Sequence, residues 1–291
     1  MIILPSSATA FSPGHLSGYF RPVYGPDPAH TGSLGAGIVI REGVTTTIWP
    51  SDDTEVTVER RDPVSGKTIG KFFTSPPIHY LLERLGVTAR VKTVCSLPIG
   101  AGFGLSAAAL LSTATAANAL FCLSLDATEC GALAHEAEIV HKTGLGDIAA
   151  CMGGGRDCRK GAGIMADIER EHDIPASLCA VVFGPLPSPE VLGSPAAMAR
   201  VISAFPGRCP EDTADFFRLS RRFTEESGLA TPEVLSALAA CDEAGIPATM
   251  TMLGNGVFAS GDGAFSLLSR LGEAFLLHPA DGGVRLLEVV E

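Results

Sequence analysis

Residues 98–109 read Pro-Ile-Gly-Ala-Gly-Phe-Gly-Leu-Ser-Ala-Ala-Ala, so that Gly100, Gly102 and Gly104 alternate with apolar residues ahead of strong helix formers. Glycine adopts φ > 0 and lets a backbone come close to a ligand with no Cβ in the way. A helix starting directly behind such a loop leaves N–H groups unpaired and adds the positive end of its dipole. The segment therefore commits the chain to a tight loop feeding a helix, an arrangement suited to phosphate. The stretch before it, Ala89 to Leu97, alternates with Ala89, Val91, Thr93, Cys95 and Leu97 on one face, which predicts a strand leading into the loop.

Two well-known phosphate loops do not fit. Gly66-Lys67-Thr68 supplies the end of a Gly-x-x-x-x-Gly-Lys-Ser/Thr motif, but position 61 is arginine and the segment lies between short strands, where it reads as a hairpin turn. A dinucleotide fingerprint would need glycine at 105, which is Leu105, and the stretch before Asp126 is helical rather than a strand ending in an acid.

Around this centre the first hundred residues read as strands and turns. Gly37 to Thr47 and Thr54 to Arg60 have strand character, and Ile78 to Leu85 a short helix closed by Gly86. Leu105 to Phe121 reads as a long buried helix, and Asp126 as the N-cap of a second helix to about Val140, with Glu129 completing a capping box. A glycine-rich zone follows from Gly144 to Gly163, and the composition changes near Ile174-Pro175. Beyond it come a strand at 178–183, helices at 195–204, 211–226 and 231–244, a strand at 248–252, the Gly254-Asn255-Gly256 turn, a strand at 257–260, a helix at 263–272 and strands at 273–278 and 284–290. The boundary predicted from this is near residue 172, giving units of 1–172 and 173–291.

The formal net charge is -11 and basic residues do not cluster, which argues against nucleic acid or an anionic membrane as partner. Ala107 to Leu125 is uncharged for nineteen residues, yet its Ala, Ser, Thr and Asn content and its lack of Lys/Arg or aromatic flanks predict a buried helix rather than a membrane span. Met1-Ile-Ile-Leu-Pro-Ser-Ser has no basic n-region and does not read as a signal peptide. Eight cysteines, none in Cys-x-x-Cys spacing, are expected to be reduced core thiols.

Pro98-x-x-x-Gly102-x-Gly104-x-Ser106-Ala107 resembles the phosphate loop of the GHMP kinases, whose usual form is Pro-x-x-x-Gly-Leu-Gly-Ser-Ser-Ala. Phe103 and Leu105 depart from it; Ser106 is kept. The resemblance implies nucleotide binding by Pro98, Gly100, Ala101, Gly102, Gly104, Leu105, Ser106 and Ala107, with ATP and Mg²⁺ as cofactors. It also implies an α+β fold of two domains, a ribosomal-protein-S5-like N-terminal part and a ferredoxin-like C-terminal part, with the active site between them. Downstream, His135 and Glu138 lie three apart on one helix face, and Thr143-Gly144-Leu145-Gly146-Asp147 follows. By the same resemblance Ser106 and Glu138 are Mg²⁺ ligands, with Glu136 as a fallback, and Asp147 accepts or orients the acceptor-hydroxyl proton. Met252-Leu253-Gly254-Asn255-Gly256 loosely matches a third family element.

Phe11-Ser12-Pro13-Gly14-His15-Leu16-Ser17-Gly18-Tyr19-Phe20, Thr31-Gly32-Ser33-Leu34-Gly35-Ala36-Gly37 and Gly154-Gly155-x-x-x-Arg159 are similar to the archaeal pantoate kinases within that superfamily. This implies pantoate as substrate, transfer of the ATP γ-phosphoryl group to its terminal hydroxyl, and a place in coenzyme A synthesis. Ser33, His135 and Arg159 would bind pantoate, with Arg156 a competitor for Arg159 and His15 a weaker candidate. An arginine suits a carboxylate held bidentately, and an acidic protein needs such a local cation for an anionic substrate. His141 and Lys142 look peripheral. A homodimer in the cytoplasm is implied by resemblance alone. The alternatives are another kinase of the superfamily, of homoserine or mevalonate type, or a silent nucleotide-binding protein.

Overall fold

In a computed structural model, which describes residues 5–186 and 188–291, the chain forms two sheets with helices packed on them. The leading residues 1–4, part of the segment read above for a signal peptide, lie outside the described residues.

The first part contributes β1 (Ser7–Val23), β2 (Gly32–Pro50), β3 (Glu55–Arg61), β4 (Thr68–Phe72), α1 (Pro76–Leu85), β5 (Ala89–Cys95), α2 (Leu105–Phe121), α3 (Ala127–Val140), α4 (Asp147–Cys151), β6 (Arg156–Arg159) and β7 (Ile168–Glu171). Next come β8 (Leu178–Gly184), α5 (Ser188–Leu192), α6 (Pro195–Ala204), α7 (Thr213–Ser227), α8 (Pro232–Glu243), β9 (Ala248–Met250), β10 (Asn255–Ser260), α9 (Ala264–Leu268), β11 (Glu273–Leu277) and β12 (Arg285–Val290).

The larger sheet runs β12-β1-β2-β5-β3-β4, with β6 paired to β2 and β7 to β6; the smaller runs β11-β8-β10-β9. All pairings are antiparallel except β3 with β5. β1 and β2 are the long spine of the molecule. β1 contains Ser12-Pro13-Gly14 and Ser17-Gly18, residues that locally punctuate a strand, and its register with β2 shifts at both places. The bulges bend the ribbon so that one half of β2 pairs β5 and the other half pairs β6.

Local signals decide several elements. α2 begins at Leu105 behind Gly104, whose φ of 63° needs no Cβ, and most of its residues are buried on every side. It is a core helix, and among the described residues no helix is long and apolar enough to cross a membrane. Asp126 caps α3 in a full capping box with Glu129. Gly86 closes α1 in the left-handed region. The helix expected at 263–272 is shorter, Ala264–Leu268, because residues 269–272 turn the chain into β11.

One core lies between the larger sheet and α1–α4, around Ile48, Val91, Leu81, Leu110 and Ala134. The other joins both sheets through Tyr19, Phe20, Phe216, Phe223 and Phe258. The expectation of eight reduced thiols needs correction, since Cys158 of β6 and Cys209 form a disulfide while the remaining six cysteines are free. The two are separated by 51 residues in sequence, so no local spacing marks them.

Candidate active site

The glycine loop is held open by conformation and by neighbours. Gly100, Gly102 and Gly104 all lie in the left-handed region, at φ of 77°, 83° and 63°. A Cβ at Gly102 would fall 2.9 Å from the Met252 carbonyl oxygen, and one at Gly254 would collide with Ala101. The late glycine turn thus braces the loop from the second sheet. From the other side the His15 amide donates to the Phe103 carbonyl at 2.9 Å. The loop ends at the N-terminus of α2, where Ser106 is exposed.

A cleft of about 310 Å³ opens there. Its lining includes Gly100, Gly102, Gly104, Leu105, Ser106 and Asp147, together with Leu253 from the bracing turn. Unpaired helix N–H groups and a nearby carboxylate make one end suited to phosphate and the other to a hydroxyl proton. Of the loop residues named from sequence, Ala101 and Ala107 turn inward and are buried. A second cavity of about 260 Å³ shares Ile99, Leu105 and Ser106 with the cleft and is lined by Val44, Val58, Phe72 and Ile78.

Behind the cleft lies a buried polar cluster. Asp147 opens α4, with its side chain 24% exposed. His15, in the bulged part of β1, places Nδ1 2.7 Å from Asp147 Oδ1 and Nε2 2.7 Å from Asp157 Oδ1, each within hydrogen-bond distance. Asp157 Oδ2 also accepts from Arg159. Burial works against a charged His15, but the two carboxylates outweigh it and hold its pKa above the ordinary value. Burial likewise opposes charge on Asp157, yet Arg159 and His15 hold its pKa well below the usual carboxylate range.

β2 makes room for this row. Gly37 pairs with Asp157 and Gly35 with Arg159. A Cβ at Gly37 would collide with His15 Nε2, and one at Gly35 would lie 3.0 Å from Arg159 Nη2. Gly146, just before Asp147, leaves space for Ser33 and Arg159: a Cβ there would sit 2.7 Å from Ser33 Oγ and 2.9 Å from Arg159 Nε.

His135 and Glu138 meet as their spacing predicts. His135 Nδ1 lies 3.2 Å from Glu138 Oε2, while its Nε2 donates to the Thr31 carbonyl at 2.9 Å. Burial raises the Glu138 pKa, with Asp147 adding to the effect and His135 opposing it. Glu138 Oε1 and Thr143 Oγ1 are buried with no hydrogen-bond partner. A Cβ at Gly144 would collide with Glu138 Oε1 and lie 3.1 Å from Asp147 Oδ2, so the two carboxylates flank this glycine. Glu136 points elsewhere, accepting from the Tyr80 hydroxyl at 2.7 Å.

The structure therefore brings His15, Ser106 and Asp147 to the cleft, and gathers Ser33, His135, Glu138 and Arg159 beneath the turn at residues 143–146. Arg156, the competitor for Arg159, is buried and donates to the Pro210 carbonyl. Asp157 is a fixed position of no motif in the sequence. Its signal is that Arg156-Asp157-Cys158-Arg159 is a short strand between glycine-rich stretches, and a charge in a buried strand requires partners.

A family model described as "GHMP kinases N terminal domain" matches residues 74–155, which include the loop, α2, α3 and Asp147. A solved phosphotransferase described as related to the CoA biosynthesis pathway has the same fold at a TM-score of 0.80, with 23% identity, covering 97% of this chain and 98% of that one. Homoserine kinase from Cytophaga hutchinsonii superposes at a TM-score of 0.66 with 15% identity, covering 99% of each chain. The two-domain α+β GHMP kinase architecture expected from the sequence is therefore the fold observed. The chain is 30% identical to the pantoate kinase of Thermococcus kodakarensis over 86% of each chain. It is 44% identical to the pantoate kinase of Methanospirillum hungatei over 96% of each. With a match of that extent, and a glycine loop and acidic turn meeting at one cleft, the chain belongs to the pantoate kinase family of GHMP kinases.

Proposed function

We propose that the protein transfers the γ-phosphoryl group of ATP to the terminal hydroxyl of pantoate, giving 4-phosphopantoate in coenzyme A synthesis. The observation that carries this reading is the single cleft in which the α2 N-terminus and Ser106 face Asp147. Phosphoryl transfer needs positioning and charge stabilisation more than covalent help. The loop amides, at the positive end of α2, cradle the phosphates, and Leu105 offers no hydroxyl there. The apolar cavity adjoining Ser106 takes the nucleotide base.

The acidic set also fits a magnesium ion. Glu138 Oε1 is a buried carboxylate oxygen without a partner, and hard cations take oxygen ligands of this kind. Ser106 and Glu138 would hold it, with Glu138 oriented by His135. When bound with ATP it neutralises phosphate charge. Asp147 accepts or orients the hydroxyl proton of pantoate, and Arg159, with Ser33, receives the carboxylate end; His135, expected there too, has both ring nitrogens engaged by Glu138 and the Thr31 carbonyl. Ser33, His135 and Arg159 are all buried, and Arg159 also lines a cavity with Leu34, Gly35 and Lys160. We assign residues 1–172 and 173–291 as the two domains, save that β12 returns to the sheet of the first, and a cytoplasmic homodimer as the working assembly, on the same resemblance.

The test is ADP release with pantoate, homoserine, mevalonate and shikimate, with and without Mg²⁺. Turnover with pantoate alone, and only with Mg²⁺, is the expected result. Turnover with another alcohol and none with pantoate overturns the reading. In the same assay Arg159→Ala should raise the pantoate KM about tenfold or more while changing the ATP KM less, since it removes a charge-assisted bidentate contact. Equal effects on both would remove Arg159 from the pantoate site.

A further inference from the structure

The reaction as proposed uses Asp147 and Arg159 but leaves the carboxylate between them without a task. Asp157 is fully buried, and each of its oxygens is committed: Oδ1 to His15 Nε2 and Oδ2 to Arg159. His15 is committed at both ring nitrogens, the second to Asp147. The row Arg159–Asp157–His15–Asp147 alternates in sign from end to end when His15 carries both protons. A carboxylate that is ionised offers only acceptors, so an imidazole between two of them must donate from both nitrogens. An isolated buried charge costs several kcal/mol, and a row of alternating charges offsets that cost only while every member is present.

The row also spans the functional parts. His15 holds the Phe103 carbonyl of the phosphate loop through its own amide while its ring holds Asp147. Arg159 lies beside Ser33 at Gly146. Gly35 and Gly37 in β2 supply the empty volume through which the row runs.

We infer that Asp157 is a positioning residue that couples the acceptor-binding arginine, Arg159, to the hydroxyl-facing carboxylate, Asp147, by fixing His15 as a doubly donating imidazolium between them. Asp157 itself touches no reacting atom. It sets the plane of the His15 ring, and the ring sets which oxygen of Asp147 is left to face the cleft. The inference rests on the pantoate reading for the identity of the acceptor but not for the state of His15.

The experiment has two arms. In the first, ¹⁵N-histidine NMR of the ligand-free wild-type protein near neutral pH, with His15 assigned from the spectrum of His15→Gln, should show protons on both ring nitrogens. A neutral His15 with one bare nitrogen overturns the proposal. This arm needs no substrate, so it stands or falls apart from the kinase reading. In the second arm, Asp157→Asn should lower kcat about 10- to 100-fold and raise the acceptor KM while leaving the ATP KM within about twofold. Adding it to Asp147→Asn should cost little further, because both act on one proton-handling unit. Additive losses, or an unchanged kcat in folded Asp157→Asn, overturn the proposal. If Asp157→Asn does not fold, His15→Gln replaces it in the same cycle with the same expectations.

Discussion

At the scale of single residues the molecule is organised by where a side chain is missing. Gly37 shows this most directly: a β-carbon there would overlap His15 Nε2, which is held between two carboxylates and cannot swing aside without breaking both bonds. Gly37→Ala should therefore destabilise the protein by roughly 1–3 kcal/mol, as overpacking does in a close-packed interior. It should also lower turnover more than the thermal shift alone accounts for. Thermal melts with parallel ADP-release assays check this, and a variant with wild-type activity would show that the ring has freedom the packing denies it. The sequence exposes part of this layer. Three alternating glycines before a helix mark the loop, because φ > 0 at Gly100, Gly102 and Gly104 is a local requirement. His135 and Glu138 are readable because helix periodicity fixes their distance. Asp157 is not readable, because its meaning depends on His15, which a bulge in a distant strand delivers to it. His15 itself reads from sequence as a minor substrate contact, whereas its ring is enclosed between Asp147 and Asp157.

Among the elements, most predicted bounds hold within a residue or two, strands β3, β5, β8, β10, β11 and β12 included, while β1 has no local signal that bounds it. α2 and α3 start where Gly104 and Asp126 place them. β1 carries Pro13, Gly14 and Gly18 inside it, and only pairing with β2 on one side and β12 on the other makes it a strand. The entry to α7 shows tertiary charge at work. Asp215 is buried and accepts from Arg208, Arg218 and the Glu211 amide. The Arg208 bond leads in holding its carboxyl down to about 2, from 3.8. A depressed carboxyl contributes stability above its unfolded pKa and loses it as pH falls through the folded value. Asp215→Asn should thus cost roughly 2 kcal/mol at neutral pH, and the gap to wild type should close between about pH 4 and pH 2, read by circular dichroism. A gap independent of pH would mean that shape rather than charge matters at this corner. The disulfide between β6 and the segment after α6 belongs to the same scale. Cross-linking a 51-residue separation is worth about 4 kcal/mol in the loop-closure picture. Denatured, unreduced protein should titrate as six thiols, and Cys158→Ala with Cys209→Ala should melt several degrees lower; eight thiols would return the pair to the reduced state expected from sequence.

For the whole molecule, the two sheets are not built from two consecutive halves of the chain. β8 to β11 form the smaller sheet, and the chain then returns so that β12 lies beside β1, with Ser7 opposite Val290. Composition changes near residue 174 show where one sheet gives way to the next, but they do not show the return, since β12 looks the same in sequence whichever edge it joins. Its Leu286, Leu287, Val289 and Val290 are all substantially exposed. Deleting residues 284–291 should bare the β1 edge and promote association by strand pairing, seen as concentration-dependent light scattering. A monodisperse truncated protein would mean that β1 holds its conformation from β2 alone. The return of the last strand has a consequence for biogenesis. A ribosome delivers β1 and β2 well before β12, so the emerging polypeptide carries an open sheet border until β12 has been made, and the edge that seals the spine of the kinase is put in place only then.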